Sequence, residues 1–156
     1  MRRTAILATV LASAVALAAA WSYRHFTAPD PAGFLPWRDP TVTAAGAALY
    51  ADHCAACHGA ALEGAPDWRI PAKNGRMPAP PHDATGHTWH HPDAQLFLMT
   101  KYGVAAMVGP GYESDMPAYD GILNDAEIIA VLAWIKSTWP PEIQARHDAI
   151  NRRVTP

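Results

Sequence analysis

The chain has 156 residues, a formal net charge of −2, two cysteines, eight histidines and fifteen prolines. Its length holds one domain, and its scattered basic residues, adjacent near the end only at Arg152-Arg153, exclude a nucleic-acid-binding surface. Two cysteines with two residues between them close too small a ring to constrain the unfolded chain, which excludes a disulfide scaffold and leaves a redox pair or a cofactor attachment.

Met1-Arg2-Arg3 precede an apolar run from Thr4 to Trp21, the charged and apolar regions of an export signal. The run is short and alanine-rich for a membrane span, which needs about 20 apolar residues. Ala18-Ala19-Ala20 offers a cleavage site, whereas Trp21, Tyr23 and Arg24 resemble the interfacial belt of an anchor. Residues 1–22 therefore read as a signal peptide or an N-terminal membrane anchor, and either one exports the rest. Residues 23–40, with Pro29, Pro31, Pro36 and Pro40, read as a proline-rich linker. The domain is expected over residues 41–139 and a C-terminal tail over 140–156.

A first helix is predicted from Thr43 to His53, capped by Thr41 or Thr43. Gly46 and Tyr50 share one face of it. A glycine there costs roughly 1 kcal/mol against alanine, so it marks a close approach by another helix. Glycines and prolines interrupt residues 59–91 so often that no helical or strand period survives. A loop this long inside a compact domain reads as a wrap around a ligand. A second helix is predicted from Pro92 to Tyr102, stopped by Gly103, and residues 103–119 read as loop. The last clear helix starts at Asn124, with Glu127 placed for a capping box. Ile128, Val131, Leu132 and Ile135 form its buried face, and Pro140-Pro141 end it. A short polar helix over Glu142–Asn151 is expected as a surface tail. No strand alternation occurs, so the fold class is all-α.

Cys54-Ala55-Ala56-Cys57-His58 is the C-x-x-C-H pattern of c-type haem attachment. Two thiols on one helical turn reach the two vinyl groups of the porphyrin, and the next imidazole then lies on the iron axis. A thioredoxin-like pair calls for a βαβ context and a tryptophan just before the first cysteine, neither of which is present. Zinc calls for further thiolates or well-spaced histidines, whereas the chain has only these two cysteines. Cys54 and Cys57 are thus expected to carry one covalent haem c, with His58 an axial ligand.

With this motif, residues Thr43 to Thr138 resemble the class I monohaem cytochromes c. The resemblance implies three main helices plus long loops wrapped around one haem, the first helix crossing the last at Gly46 and Tyr50 with Trp134 opposite. It also implies a methionine sixth ligand just before the last helix. Ser114-Asp115-Met116-Pro117-Ala118-Tyr119 is similar to the family's methionine-proline-alanine-aromatic segment, which points to Met116, with Met107 or a histidine as alternatives. Met99 reads as core packing, and Met77 is too close to the haem motif to reach the far face easily. A family proline carbonyl accepts from the proximal histidine; Pro80 or Pro81 fills that role here, with Pro71 in reserve. The implied activity is single-electron transfer, not catalysis, because methionine and histidine together leave no open iron position. The implied setting is the bacterial periplasm, free or tethered to the outer face of the inner membrane, with transient redox partner proteins.

His82, His87, His90 and His91 crowd one loop. One reading is a copper site at His87, His90 and His91 in a copper-handling cytochrome. The other is that these rings and Trp89 line the haem propionate edge, since the run Gly86 to His91 resembles a segment of some bacterial monohaem cytochromes. On that reading the Trp89 indole N–H donates to a propionate. A third reading, an open-site haem sensor or peroxidase, requires that Met116 not bind iron.

Overall fold

The computed structural model describes residues 33–154. The expected signal or anchor at 1–22, and the linker as far as residue 32, lie outside the described residues. Among those described are six α-helices and no strand: α1 (Pro40–His53), α2 (Ala55–His58), α3 (Asp93–Tyr102), α4 (Val104–Val108), α5 (Asp125–Ser137) and α6 (Pro141–Val154). A single 3-10 turn, Thr88–His90, interrupts the long loop before α3.

Helix α1 begins earlier than predicted, because Asp39 rather than a threonine caps it. The Asp39 carboxylate accepts from the amides of Thr41 (2.8 Å) and Val42 (3.3 Å), with Pro40 at the first helical position. A negative charge on the exposed amides and a preset proline φ both favour a start there. Asn124 caps α5 as expected, accepting from the Glu127 amide at 3.1 Å while the Glu127 carboxylate accepts from the Asn124 amide at 2.8 Å. The stretch after Gly103 is not all loop. Val104 to Val108 form α4, a single turn of small and apolar residues bounded by Gly103 and Gly109 at positive φ.

Helices α1 and α5 cross tightly. A Cβ built on Gly46 would overlap the Ala130 carbonyl, and one turn later the Tyr50 ring meets that of Trp134 at 4.6 Å between centroids. On either side of the crossing lies an apolar cluster. One joins Leu35, Leu96, Tyr119, Leu123, Ile128 and Leu132; the other joins Tyr50, Leu62, Val131, Ile135, Trp139 and Ile143.

The C-terminal helix corrects the expectation of a surface tail. Ile143, His147, Asp148 and Asn151 of α6 are all buried. Lys136 of α5, 1 % exposed, donates to the Asp148 carboxylate at 2.6 Å. Asn151 bonds Asp93 twice, accepting from its amide at 2.8 Å and donating to its carboxylate at 2.9 Å. The other Asp93 oxygen accepts from the amides of Phe34 (2.8 Å) and Leu35 (3.0 Å), so one carboxylate ties the N-terminal segment, α3 and α6 together. His147 donates through Nε2 to the His91 carbonyl at 2.9 Å. Burial, aided by the Lys136 ammonium, holds this ring below the usual histidine pKa and favours its neutral form. The polar composition of α6 suggested solvent because its polar groups are paired with partners distant in sequence.

Two stability outcomes follow from this packing. Gly46→Ala should cost the protein about 2 kcal/mol, since the added methyl meets rigid backbone, and should lower its thermal midpoint by roughly 5 °C; an unchanged midpoint would show that the crossing tolerates a wider spacing. Asp148→Asn leaves a buried ammonium without its counter-charge and should cost about 3 kcal/mol in urea unfolding. The double variant Lys136→Met/Asp148→Leu should recover most of that loss, and equal losses in both would assign the effect to packing.

Candidate haem site

The end of α1 delivers the C-x-x-C-H segment. Cys54 closes α1 by donating its amide to the Tyr50 carbonyl at 2.9 Å, and also begins α2, accepting from the His58 amide at 2.9 Å. The two cysteines form no disulfide, and Cys54 is half-buried while Cys57 is exposed. Before haem attachment, burial pushes the Cys54 thiol up to about 11. Gly59 then turns the chain at φ 81°, and the Tyr50 hydroxyl holds it by donating to the Gly59 carbonyl at 2.8 Å.

His58 is buried, and its Nδ1 donates to the Pro80 carbonyl at 2.8 Å. That bond assigns the proton to Nδ1 and leaves Nε2 with its lone pair, the form a ring needs to bind metal. Of the two prolines expected there, Pro80 supplies the carbonyl. The Pro81 carbonyl instead lies 3.4 Å from the Thr88 hydroxyl. Gly64 and Gly86 allow the loop to close on this point, since a Cβ on either would overlap the Pro80-Pro81 backbone.

His82 is a neighbour that the sequence did not single out for this role. Its ring stacks on His58 with centroids 4.0 Å apart and planes at 24°. Its Nδ1 lies 2.8 Å from the Thr88 hydroxyl, and the Trp139 indole donates to its carbonyl at 2.7 Å. Burial holds this ring well below the ordinary histidine pKa, and the adjacent imidazoles add to the shift. Spacing along the chain carries no sign of such a stack, because a loop of more than twenty residues intervenes between the rings.

These groups face a cavity of about 780 Å³, within the usual size of a cofactor pocket. Cys54, Cys57 and His58 lie on its walls, with Leu96, Val131, Leu132 and Ile135 supplying apolar surface. Met116 and Pro117 line it as well. The Met116 amide donates to the Ser114 hydroxyl at 3.1 Å, and Tyr119 anchors the segment by donating its phenol to the His53 carbonyl at 2.6 Å. Met77 and Met99 also reach the cavity wall; Met107 does not. Two cysteine sulfurs beside the buried His58 imidazole, with methionine thioethers on the wall of a largely apolar cleft, fit a covalently held haem.

The histidine-rich loop divides. His87 and His91 line the cavity, with His87 stacked on Trp68 at 5.2 Å, whereas His90 stacks on Trp89 at 3.7 Å, away from them. Among the described residues no group of three or more His, Cys, Asp or Glu side chains is placed to hold a metal ion. Trp89 does not line the cavity; its indole faces the Ala84 carbonyl at 3.4 Å, and its ring packs against the cluster around Tyr50 and Trp139. Of the three residues of the 3-10 turn, Thr88 is the buried one.

A family model described as Cytochrome c matches residues 43–139, more than half of the chain. The chain belongs to the cytochrome c family, and it carries haem c covalently through Cys54 and Cys57. No curated protein and no solved structure matches it. When bound, the haem supplies one-electron chemistry at its iron.

Haem should therefore remain with the polypeptide after acid–acetone extraction of the native protein. The double variant Cys54→Ala/Cys57→Ala should lose it to the solvent, and each single variant should retain it with a shifted reduced spectrum. Retention by the double variant would show attachment through another residue.

Proposed function

We propose that this cytochrome c is a single-electron carrier in which His58 and Met116 are the two axial ligands. The observation that carries this reading is that a buried imidazole with a free Nε2 and the thioether of the loop before α5 open onto one apolar cavity. The Pro80 carbonyl fixes the plane of His58 and raises the basicity of its free nitrogen. A thioether opposite favours a higher reduction potential than a second imidazole would, and leaves no position for oxygen or peroxide. Leu96, Val131, Leu132 and Ile135 keep water from the centre, which limits reorganisation as its charge changes.

The setting we infer is the bacterial periplasm, soluble or tethered to the outer face of the inner membrane. It is supported by the Arg2-Arg3 pair and the apolar run behind it. Partners are redox proteins that dock transiently beside the cavity, where Cys57 is exposed.

The oxidised wild type should show the weak far-red sulfur-to-iron charge-transfer band, and Met116→Ala should lose it while its reduced form gains carbon monoxide binding. Carbon monoxide binding by the native reduced protein, with no far-red band in the oxidised form, would instead favour a sensor or peroxidase.

A further inference from the structure

The loop that holds His58 and the loop that carries Met116 are joined by one guanidinium. Arg76 donates from Nε and Nη2 to one Glu113 oxygen, each at 3.2 Å, and from Nη1 to the Asp115 carboxylate. A local turn sets the position of Arg76. Its amide donates to the Asn74 side chain at 3.1 Å, and its carbonyl accepts from the Ala72 amide at 2.9 Å. Met77 to Pro80 follow directly along the cavity wall and end at the carbonyl that holds His58. On the opposite side, Asp115 immediately precedes Met116. The backbone of the Met116 loop is pinned at its ends, Tyr112 to Gly109 (3.3 Å) and Tyr119 to Thr100 (3.2 Å). Between those ends, the polar ties described to the rest of the chain come from Arg76.

We propose that Arg76 is a positioning residue: it clasps the Met116 loop shut, and its ion pairs set how readily Met116 leaves the iron and admits an outside ligand. The inference rests on the reading of Met116 as the sixth ligand. A planar guanidinium can hold two carboxylates at once in a fixed geometry, which a lysine at this position cannot match. All three side chains are solvent-accessible, at 36 % for Arg76, 69 % for Glu113 and 62 % for Asp115, so dissolved salt screens the clasp. Local opening of this loop is therefore sensitive to ionic strength, while the α1–α5 core is not.

The test follows imidazole binding to the ferric holoprotein by stopped flow, at low salt and at about 0.5 M sodium chloride. Salt should accelerate binding to the wild type. Arg76→Gln and the double variant Glu113→Gln/Asp115→Asn should each bind roughly threefold to tenfold faster than wild type at low salt, the range set by two exposed ion pairs. Both should lose most of the salt acceleration. Lys73→Gln removes a neighbouring charge outside the clasp and should behave as wild type. A wild type that shows the far-red band, but shares its rate and salt dependence with both variants, overturns the clasp and leaves Met116 ligation standing. A wild type without that band overturns both.

Discussion

The contact between Gly46 and the Ala130 carbonyl sets the separation of α1 and α5, and most of the site depends on that separation. With the helices this close, Tyr50 reaches Trp134 on one side and the Gly59 carbonyl on the other. The chain is thereby held as it leaves the C-x-x-C-H turn. Val131, Leu132 and Ile135, on the inner face of α5, become the floor of the cavity. A larger residue at position 46 would move that floor relative to Cys54, Cys57 and His58, so helix packing and cofactor geometry are one constraint.

On this frame, the long loop after His58 is ordered chiefly by contacts to groups at the site. The Pro80 carbonyl accepts from His58, His82 stacks on the same ring, and Trp139 holds His82 from behind. A second polar centre secures the C-terminal helix: Asp93 joins the N-terminal segment to Asn151, and Lys136 joins α5 to Asp148. His147 links the two regions through the His91 carbonyl, next to a ring that lines the cavity. Such buried polar networks limit the ways in which a helix can seat.

The parts legible in the sequence were those whose physics is local or periodic. A C-x-x-C-H turn, a capping box at Asn124 and Glu127, and the spacing of Ile128 to Ile135 need no partner to be recognised. Gly46 was legible because a glycine inside a helix calls for a reason. The remainder depends on partners far along the chain. The polar face of α6 looked like a solvated tail, because nothing near it in sequence announces Asp93 or Lys136. The run from Gly86 to His91 resembles a haem-wrapping segment, yet Trp89 packs beside Tyr50 and Trp139 and faces the Ala84 carbonyl. His87 and His91 meet at the cavity while His90 stacks on Trp89, a division that their crowding in one loop does not announce.

Three methionines reach the cavity wall, Met77, Met99 and Met116, so the most direct test of the account is which thioether lies on the iron. Proton NMR of the reduced holoprotein answers this, because the methyl group of an axial methionine is carried far upfield by the porphyrin ring current. The account predicts one such methyl resonance, assigned to Met116 and absent from Met116→Ala with the Met77 and Met99 signals unchanged. An upfield methyl belonging to Met77 or Met99, or none at all, would contradict it.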